Sequence, residues 1–186
     1  YVAELYDRVS DVAKGAALMT GTRVSCRTVS AYAELLSVPA MEALMMEAMQ
    51  EAEKPEYADD DYEYAARFAA DQASPSIDTT ILPADQSINL GSTDVGDVSW
   101  QVPTGLIGVT TEAAGCALHT WQIVAQGKSP LAHKGMHYAA RILFAAAKKL
   151  YESPERCALI QDDYQHVIGH RTYQSMLPDS VKPGDF

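Results

Sequence analysis

Residues 130–150 read PLAHKGMHYAARILFAAAKKL and decide the fold that we expect for this chain. Apolar residues recur at helical spacing from Ala132 to about Tyr151, with basic residues between them, and this pattern predicts a long amphipathic helix. His133 lies at the start of that helix. Three roles are open to it at this point: a metal ligand, a catalytic base, or a buried histidine of the core.

The second histidine of this stretch, His137, follows one helical turn after His133. Two histidines at positions i and i+4 of a helix can bind one metal ion, but the strong form of the motif, H-E-x-x-H, has a glutamate after the first histidine. Here that position is Lys134, whose positive charge repels a metal ion. The pair is therefore a weak two-ligand candidate, and we expect His137 to be a partly buried helix residue.

The composition is that of a globular protein with an acidic balance. The 186 residues carry a formal net charge of −11, 47% of them are hydrophobic, and the mean hydropathy is −0.14. We expect no nucleic-acid partner, because phosphates need a basic surface, and no membrane span, because no apolar run reaches the roughly 20 residues required. The three cysteines are widely spaced and lack a C-x-x-C pair, which predicts small buried side chains in a reducing cytoplasm rather than disulfides.

The first 32 residues predict a helix followed by a strand. The segment from Val2 to Leu18 keeps a helical apolar stripe that ends near Gly21, and TRVSCRTVSAY has the composition of a strand with one polar face. Such a unit is too small to bury its apolar faces alone. Because the chain opens within helical periodicity and without Met, we expect it to be a piece of a longer protein. Residues 1–37 are then the end of one domain, and residues 38–186 are the C-terminal portion of a second domain.

The middle of the chain alternates predicted helices with loops and short strands. SVPAMEALMMEAMQEAEK predicts a helix with Pro39 in its first turn, and its methionine-rich face is typical of core packing or of an adaptable binding groove. Residues 56–72 predict a helix with a solvated acidic face and no metal role for its consecutive aspartates, and residues 73–90 a loop. Strands are predicted over residues 105–110 and at TWQIVAQ, and a last helix over about 154–167.

The stretch GSTDVGDVSW, residues 91–100, combines a turn with a helix start. Gly91 permits a sharp turn, Ser92 and Thr93 can cap the short helix that follows, and Asp94 falls where the helix dipole favours a carboxylate. A capped helix start with no further role is the structural alternative. We expect Asp94 to order a loop near the functional site without binding a metal ion directly.

Taken in order, GSTDVGDVSW, HTWQIVAQGKS (119–129) and HKGM (133–136) resemble the C-terminal part of the co-catalytic metallopeptidases of the aminoacylase and carboxypeptidase G type. GAALMTGTRV (15–24) resembles the end of the lid domain of that family. The resemblance implies an α/β fold: a catalytic α/β sandwich around a mostly parallel sheet, and a four-stranded α+β lid that forms the dimer. It assigns this chain to the C-terminal portion of the sandwich and the tail end of the lid.

The resemblance also implies a chemistry. Enzymes of this family hydrolyse the amide bond of a small acyl-amino-acid substrate with two divalent cations, manganese or zinc. The implied assembly is a homodimer, with a second type of subunit as a further partner. The lone histidine before the C-terminal helix is the family's last metal ligand and corresponds to His133, while four residues are implied in the wall of the substrate site: Ser92, Thr93, Asp94 and His119.

The chain departs from the family pattern in one respect that matters for function. The family's other ligands and its general-base glutamate come from the N-terminal part of the catalytic domain, and this chain has no H-x-D after a strand and no Glu-Glu pair in a loop. We therefore expect the chain alone to be inactive and to bind no metal. The alternative function is a non-catalytic interaction module that docks a partner through the methionine-rich helix.

Overall fold

The computed structural model describes residues 1–69, 75–83 and 91–182. Seven helices lie within these ranges and account for all of the regular secondary structure found there. The helices are α1 (Val2–Thr20), α2 (Pro39–Glu51), α3 (Asp59–Ala66), α4 (Val95–Ser99), α5 (Trp121–Gln126), α6 (Pro130–Glu152) and α7 (Pro154–Ile168). The predicted loop over residues 73–90, and the end of the helix predicted over 56–72, lie partly outside the described residues.

The predicted α/β fold is wrong for the described part of the chain, which is helical and contains no strand. Residues 22–32 and 105–110, both predicted as strands, take no regular secondary structure, because a strand is stable only when its backbone groups pair with a neighbouring strand. The predicted strand TWQIVAQ is instead α5. There the Gln126 side-chain amide donates to the Gln122 carbonyl oxygen, one helical turn earlier, at 3.1 Å.

The chain divides into two compact units. The first comprises Tyr1–Leu36, Leu90–Val102 and His170–Phe186, and the second comprises Ser37–Asn89 and Pro103–Gly169. The assignment of residues 1–37 to the end of a lid domain and of 38–186 to a catalytic domain stays a prediction.

Three helices of the second unit, α2, α6 and α7, pack against one another and enclose its main core. The methionine-rich face of α2 lies in this core, so it is not available as the partner-docking face of the alternative function. The buried residues of that face are Met41, Leu44, Met45 and Ala48. Gly105 passes so close to this face that a Cβ atom added there would lie 2.7 Å from the Met45 side chain.

A smaller core cluster lies under the first turn of α6. Leu131 packs there with Ala65 of α3, Ile77 and Ala113, and all four side chains are buried. The cluster joins α3 and the segment around Ala113 to the beginning of α6. The start of α6 is therefore held by packing as well as by its own backbone hydrogen bonds.

In the first unit, α1 has no buried residue. The helix ends at Gly21, whose φ of 64° is a left-handed conformation that glycine adopts without steric cost. The apolar stripe that predicts this helix is therefore real but exposed in this chain.

The three cysteines are free, as predicted, but the expectation that they are buried is wrong. Cys26 and Cys157 are exposed and Cys116 is half-buried. Within the described residues, none of the helices has the length and apolar character that a membrane crossing requires.

Candidate functional site

His133 lies in the first turn of α6. Ser129 caps the helix, because its hydroxyl accepts the Ala132 N–H at 3.1 Å and its carbonyl accepts the His133 N–H at 3.1 Å. Pro130 occupies the first helical position, where its missing N–H costs nothing. The His133 side chain is exposed, so it is not the buried core histidine that the sequence left open.

Gly135 brings the same turn of α6 against the backbone of a neighbouring segment. A Cβ atom at this position would lie 2.1 Å from the Thr110 carbonyl oxygen and 2.9 Å from the Thr111 methyl carbon. Only glycine lets the two backbones approach this closely. The H-K-G order thus has a structural reason: the glycine fixes the first turn of α6 against residues 110–111 while His133 stays accessible.

The half-buried Lys134 forms an ion pair with the buried carboxylate of Asp61 of α3. The Asp61 carboxylate is 8% exposed and also accepts the Ala58 N–H at 2.8 Å. Burial raises the pKa of this carboxyl, but the hydrogen bonds from Lys134 and Ala58 and the lysine charge outweigh burial, so the pKa lies below its usual value. The Lys134 ammonium also stands 5.6 Å from the ring centroid of Tyr57, within the range of a cation–π contact.

Asp61 is the residue that the sequence analysis missed. The sequence pattern predicts Asp61 to be one of three solvent-exposed aspartates. In the structure it is buried and pairs with Lys134 of α6, the helix that carries His133. No local pattern singles it out, because the N-cap residue Ala58 has no side-chain oxygen to complete a capping box and the partner Lys134 is 73 residues away in sequence. No metal role is assigned to it, since Lys134 and Ala58 both donate to its Oδ2 and it is not grouped with two further candidate ligands among the described residues.

A groove of about 510 Å³ runs along α6 beside this ion pair. Lys134, His137 and Arg141 line one side of it, and residues 53–56 line the other. His137 is exposed, so the expectation that it is partly buried is wrong. Arg141 donates to both the carbonyl oxygen and the carboxylate of Glu53 at 3.2 Å, which spans the groove.

The GSTD turn belongs to the first unit, and its side chains Ser92, Thr93 and Asp94 are exposed. The Thr93 hydroxyl accepts the Val95 N–H at 3.3 Å. Asp94 occupies the N-cap position of α4, but its carboxylate accepts no N–H of that helix. Thr93, one of the two residues that the sequence offers as caps, therefore caps α4, whereas the exposed Asp94 carboxylate accepts the Thr93 hydroxyl at 3.5 Å.

The second half of GSTDVGDVSW anchors the turn within the first unit. The buried Ser99 hydroxyl accepts the Leu36 N–H at 2.9 Å and donates to the Gly96 carbonyl oxygen at 2.6 Å. Asp97 accepts the Tyr173 hydroxyl at 2.7 Å, and this hydrogen bond, together with burial, raises the pKa of Tyr173. These contacts explain why the motif extends beyond its first four residues.

His119 has an unusual backbone conformation. Its φ is 59°, and it is the one non-glycine residue with a positive φ among those that the structure describes. The side chain is exposed and the residue immediately precedes the N-cap of α5. Left-handed non-glycine residues are uncommon and cluster at functional sites, which makes His119 a candidate.

The predicted site residues fall into both units. His119 and His133 lie in the second unit, and Ser92, Thr93 and Asp94 lie in the first. In the described ranges, no three histidine, cysteine, aspartate or glutamate side chains are grouped so that they could hold a metal ion. His133 is thus exposed but not grouped with two further candidate ligands in the part of the chain that the structure describes.

Comparison with known proteins bears on these motifs. Within the family named above, they resemble in particular a subunit of p-aminobenzoyl-glutamate hydrolase. The chain is 30% identical to a p-aminobenzoyl-glutamate hydrolase subunit of Escherichia coli (strain K12), over an alignment of 211 residues. The resemblance is confirmed. That alignment covers 98% of this chain and 44% of the relative, so the chain spans less than half of the relative's length.

Two other comparisons gave no match. No protein-family model matches the chain. No solved structure matches it either. The similarity to the E. coli hydrolase subunit therefore carries the functional argument together with the geometry around α6.

Proposed function

We propose that this chain is the C-terminal part of a metal-dependent amidohydrolase that cleaves p-aminobenzoyl-glutamate to p-aminobenzoate and glutamate. The observation that supports the proposal best is the 30% identity to a p-aminobenzoyl-glutamate hydrolase subunit over 98% of the chain. The longer polypeptide to which we assign the chain is called the parent below.

His133 is the residue of this chain that would hold a metal ion in the parent. Its imidazole is exposed at the first turn of α6, and its backbone is fixed by the Ser129 cap. Imidazole nitrogen is a common zinc ligand, and carboxylate oxygens beside it would also suit manganese. When bound, two such cations polarise the scissile carbonyl and lower the pKa of an attacking water.

The other residues of this chain act by positioning. Gly135 and the Asp61–Lys134 ion pair hold the first turn of α6 in place. This matters because a ligand displaced by about 1 Å can cost a large part of the catalytic rate. Asp94 and His119, both exposed, are proposed for the substrate-facing wall together with Ser92 and Thr93.

The decisive experiment is His133→Ala in the parent, expressed from the open reading frame that encodes this chain. We expect the fold to be retained, because an exposed side chain in the first turn contributes little packing. Metal content measured by mass spectrometry should fall, and hydrolysis of p-aminobenzoyl-glutamate should be largely lost.

His137→Ala is the matched control, because it removes an equally exposed imidazole one turn further along α6. We expect it to keep both the metal content and the activity. Unchanged metal content and full activity in His133→Ala would contradict the proposal.

A further inference from the structure

We propose that Tyr173 is a positioning residue: through its hydrogen bond to Asp97, the segment after α7 (residues 170–182) holds the GSTD turn, residues 91–94, in the place where it contacts the substrate. The inference rests on the proposed function, which gives that turn a place in the substrate-facing wall. It concerns a contact between three stretches of the first unit that are far apart in sequence.

The GSTD turn is exposed and depends on α4 for its position. The Gly96 N–H donates to the Thr93 carbonyl oxygen at 3.2 Å, and the Asp97 N–H donates to the Asp94 carbonyl oxygen at 3.1 Å. The turn and α4 therefore move together. Because α4 has only five residues, far fewer than the roughly 12 that an isolated helix needs, the contacts of α4 decide where the turn lies.

One set of contacts joins α4 to residues 33–36. A Cβ atom added to Gly96 would lie 2.0 Å from the Ala33 carbonyl oxygen, so the two backbones touch. The buried Ser99 hydroxyl accepts the Leu36 N–H at 2.9 Å. Asp97 also accepts the Ala33 N–H, at 3.4 Å and on its Oδ1 atom.

The second set of contacts comes from the segment after α7. The hydroxyl of the half-buried Tyr173 donates to Oδ1 of Asp97 at 2.7 Å, which is the same oxygen that accepts the Ala33 N–H. A hydrogen bond from a hydroxyl to a carboxylate is of the strong, charge-assisted kind. The Asp97 Oδ1 atom is therefore the point where residues 33–36, α4 and the segment after α7 meet.

Trp100 and Arg171 join the same three stretches a second time. The Arg171 guanidinium carbon lies 4.9 Å from the centroid of the Trp100 ring, within the range of a cation–π contact. The Arg171 guanidinium pairs with the Glu34 carboxylate at 3.5 Å, and the Trp100 indole N–H donates to the Glu34 carbonyl oxygen at 3.0 Å. Removal of the Tyr173 hydroxyl alone therefore leaves the segment attached and changes how firmly α4 is held.

A displaced GSTD turn should affect substrate binding more than the chemical step. An interaction that is equally strong in the ground state and in the transition state sets KM and leaves kcat unchanged. Tyr173 acts in this way through Asp97 and α4, without a contact of its own to the substrate. A general loss of folded protein would instead lower the apparent kcat and leave KM as it is.

Tyr173→Phe in the parent tests the inference, because it removes the hydroxyl and keeps the ring beside Trp100. We expect KM for p-aminobenzoyl-glutamate to rise about fivefold or more, with kcat changed by less than about twofold. Hydrogen exchange of the Gly96 and Asp97 amides, measured by NMR or mass spectrometry, should be about fivefold faster. An unchanged KM or unchanged exchange would overturn the inference.

Tyr6→Phe is the matched control. The Tyr6 hydroxyl also makes a hydrogen bond within the first unit, but its partner is the Thr28 hydroxyl, at 3.1 Å. The substitution thus removes the same atom from the same unit and leaves the contacts of α4 intact. We expect unchanged KM and unchanged exchange at Gly96 and Asp97; changes as large as those of Tyr173→Phe would overturn the inference.

A double-mutant cycle with Asp97→Ala tests the route from Tyr173 to the turn. If Tyr173 acts through the Asp97 carboxylate, Tyr173→Phe should change KM by less than about twofold once that carboxylate is gone. A further fivefold rise in the double variant would show that Tyr173 acts elsewhere and would overturn the inference.

The failure of this inference can be told from the failure of the proposed function. A parent that does not hydrolyse p-aminobenzoyl-glutamate contradicts the proposed function. Hydrogen exchange then decides the inference alone: faster exchange at Gly96 and Asp97 in Tyr173→Phe supports the hold on the turn, and unchanged exchange overturns it.

Discussion

Gly135 lies where α6 comes closest to the backbone of Thr110, and an added methyl group would stand 2.1 Å from the Thr110 carbonyl oxygen. A backbone atom cannot swing aside as the end of a flexible side chain can. Gly135→Ala should therefore lower the free energy of unfolding by about 1–3 kcal/mol. It should do so although alanine favours helix over glycine by about 1 kcal/mol.

Gly127→Ala is the matched control, because the nearest atom to its added Cβ is the Val124 carbonyl oxygen at an ordinary 3.5 Å. We expect a change of less than about 0.5 kcal/mol. Urea denaturation followed by far-UV circular dichroism measures both variants. Equal effects of the two substitutions would contradict the close approach at Gly135.

For single residues, the sequence predicted the place in a helix better than it predicted burial and contacts. His133 is at a helix start, as its place before an apolar-periodic segment indicates. The burial of Asp61 was not predictable in the same way, because its partner Lys134 is 73 residues away in sequence. A local pattern shows which residues share a helix, whereas a buried ion pair depends on how two helices pack.

Among the elements, α2, α6 and α7 are joined by charge as well as by apolar packing. Glu47 of α2 accepts hydrogen bonds from Lys149 of α6 at 2.8 Å and from Arg156 of α7 at 3.1 Å. Lys149 also pairs with Glu51 at 2.6 Å. The hydrogen bonds from Arg156 and Lys149 lower the pKa of Glu47 from 4.5 to about 2.

This shift predicts a pH dependence of stability. Because the folded pKa is lower than the unfolded one, the contribution of Glu47 is fully present above pH 4.5 and is lost as the pH falls towards 2. Glu47→Gln should lower the thermal midpoint at neutral pH, and its difference from the unmodified chain should shrink over that window. The size should be modest, because the Glu47 side chain is 34% exposed and solvent screens the pairs.

Thermal unfolding across this pH range checks the prediction. Glu63→Gln on α3 is the control, because Glu63 is exposed and forms no ion pair within the described part of the chain. It should show no such window. A Glu47→Gln difference that grows on acidification would contradict the assignment.

The helices were largely predictable and the strands were not. The long helix expected from Ala132 to about Tyr151 is α6, Pro130–Glu152, and the helix expected from Val2 to Leu18 is α1, Val2–Thr20. Helical hydrogen bonds are local, so the 3.6-residue period is enough to predict them. A strand needs a partner strand from elsewhere, and residues 22–32 find none in the described ranges.

For the molecule as a whole, the need of each strand for a partner strand also accounts for the incorrect fold class. The α/β sandwich was implied by a resemblance to a longer protein, of which this chain matches less than half. The described residues of this chain are helical, and the predicted strands among them stay unpaired. The methionine-rich face of α2 lies in a core, which was one of the two roles that its sequence pattern allowed.

The catalytic competence of the whole chain can be predicted from its ligand inventory. A co-catalytic site needs several converging ligands and a general base, and the described residues bring no three such groups together. We therefore expect this chain alone, supplied with manganese or zinc, to leave p-aminobenzoyl-glutamate unhydrolysed, while the parent under the same conditions releases p-aminobenzoate. Chromatographic measurement of p-aminobenzoate checks both. Release by the chain alone that disappears in His133→Ala would show that these residues complete a site without the parent.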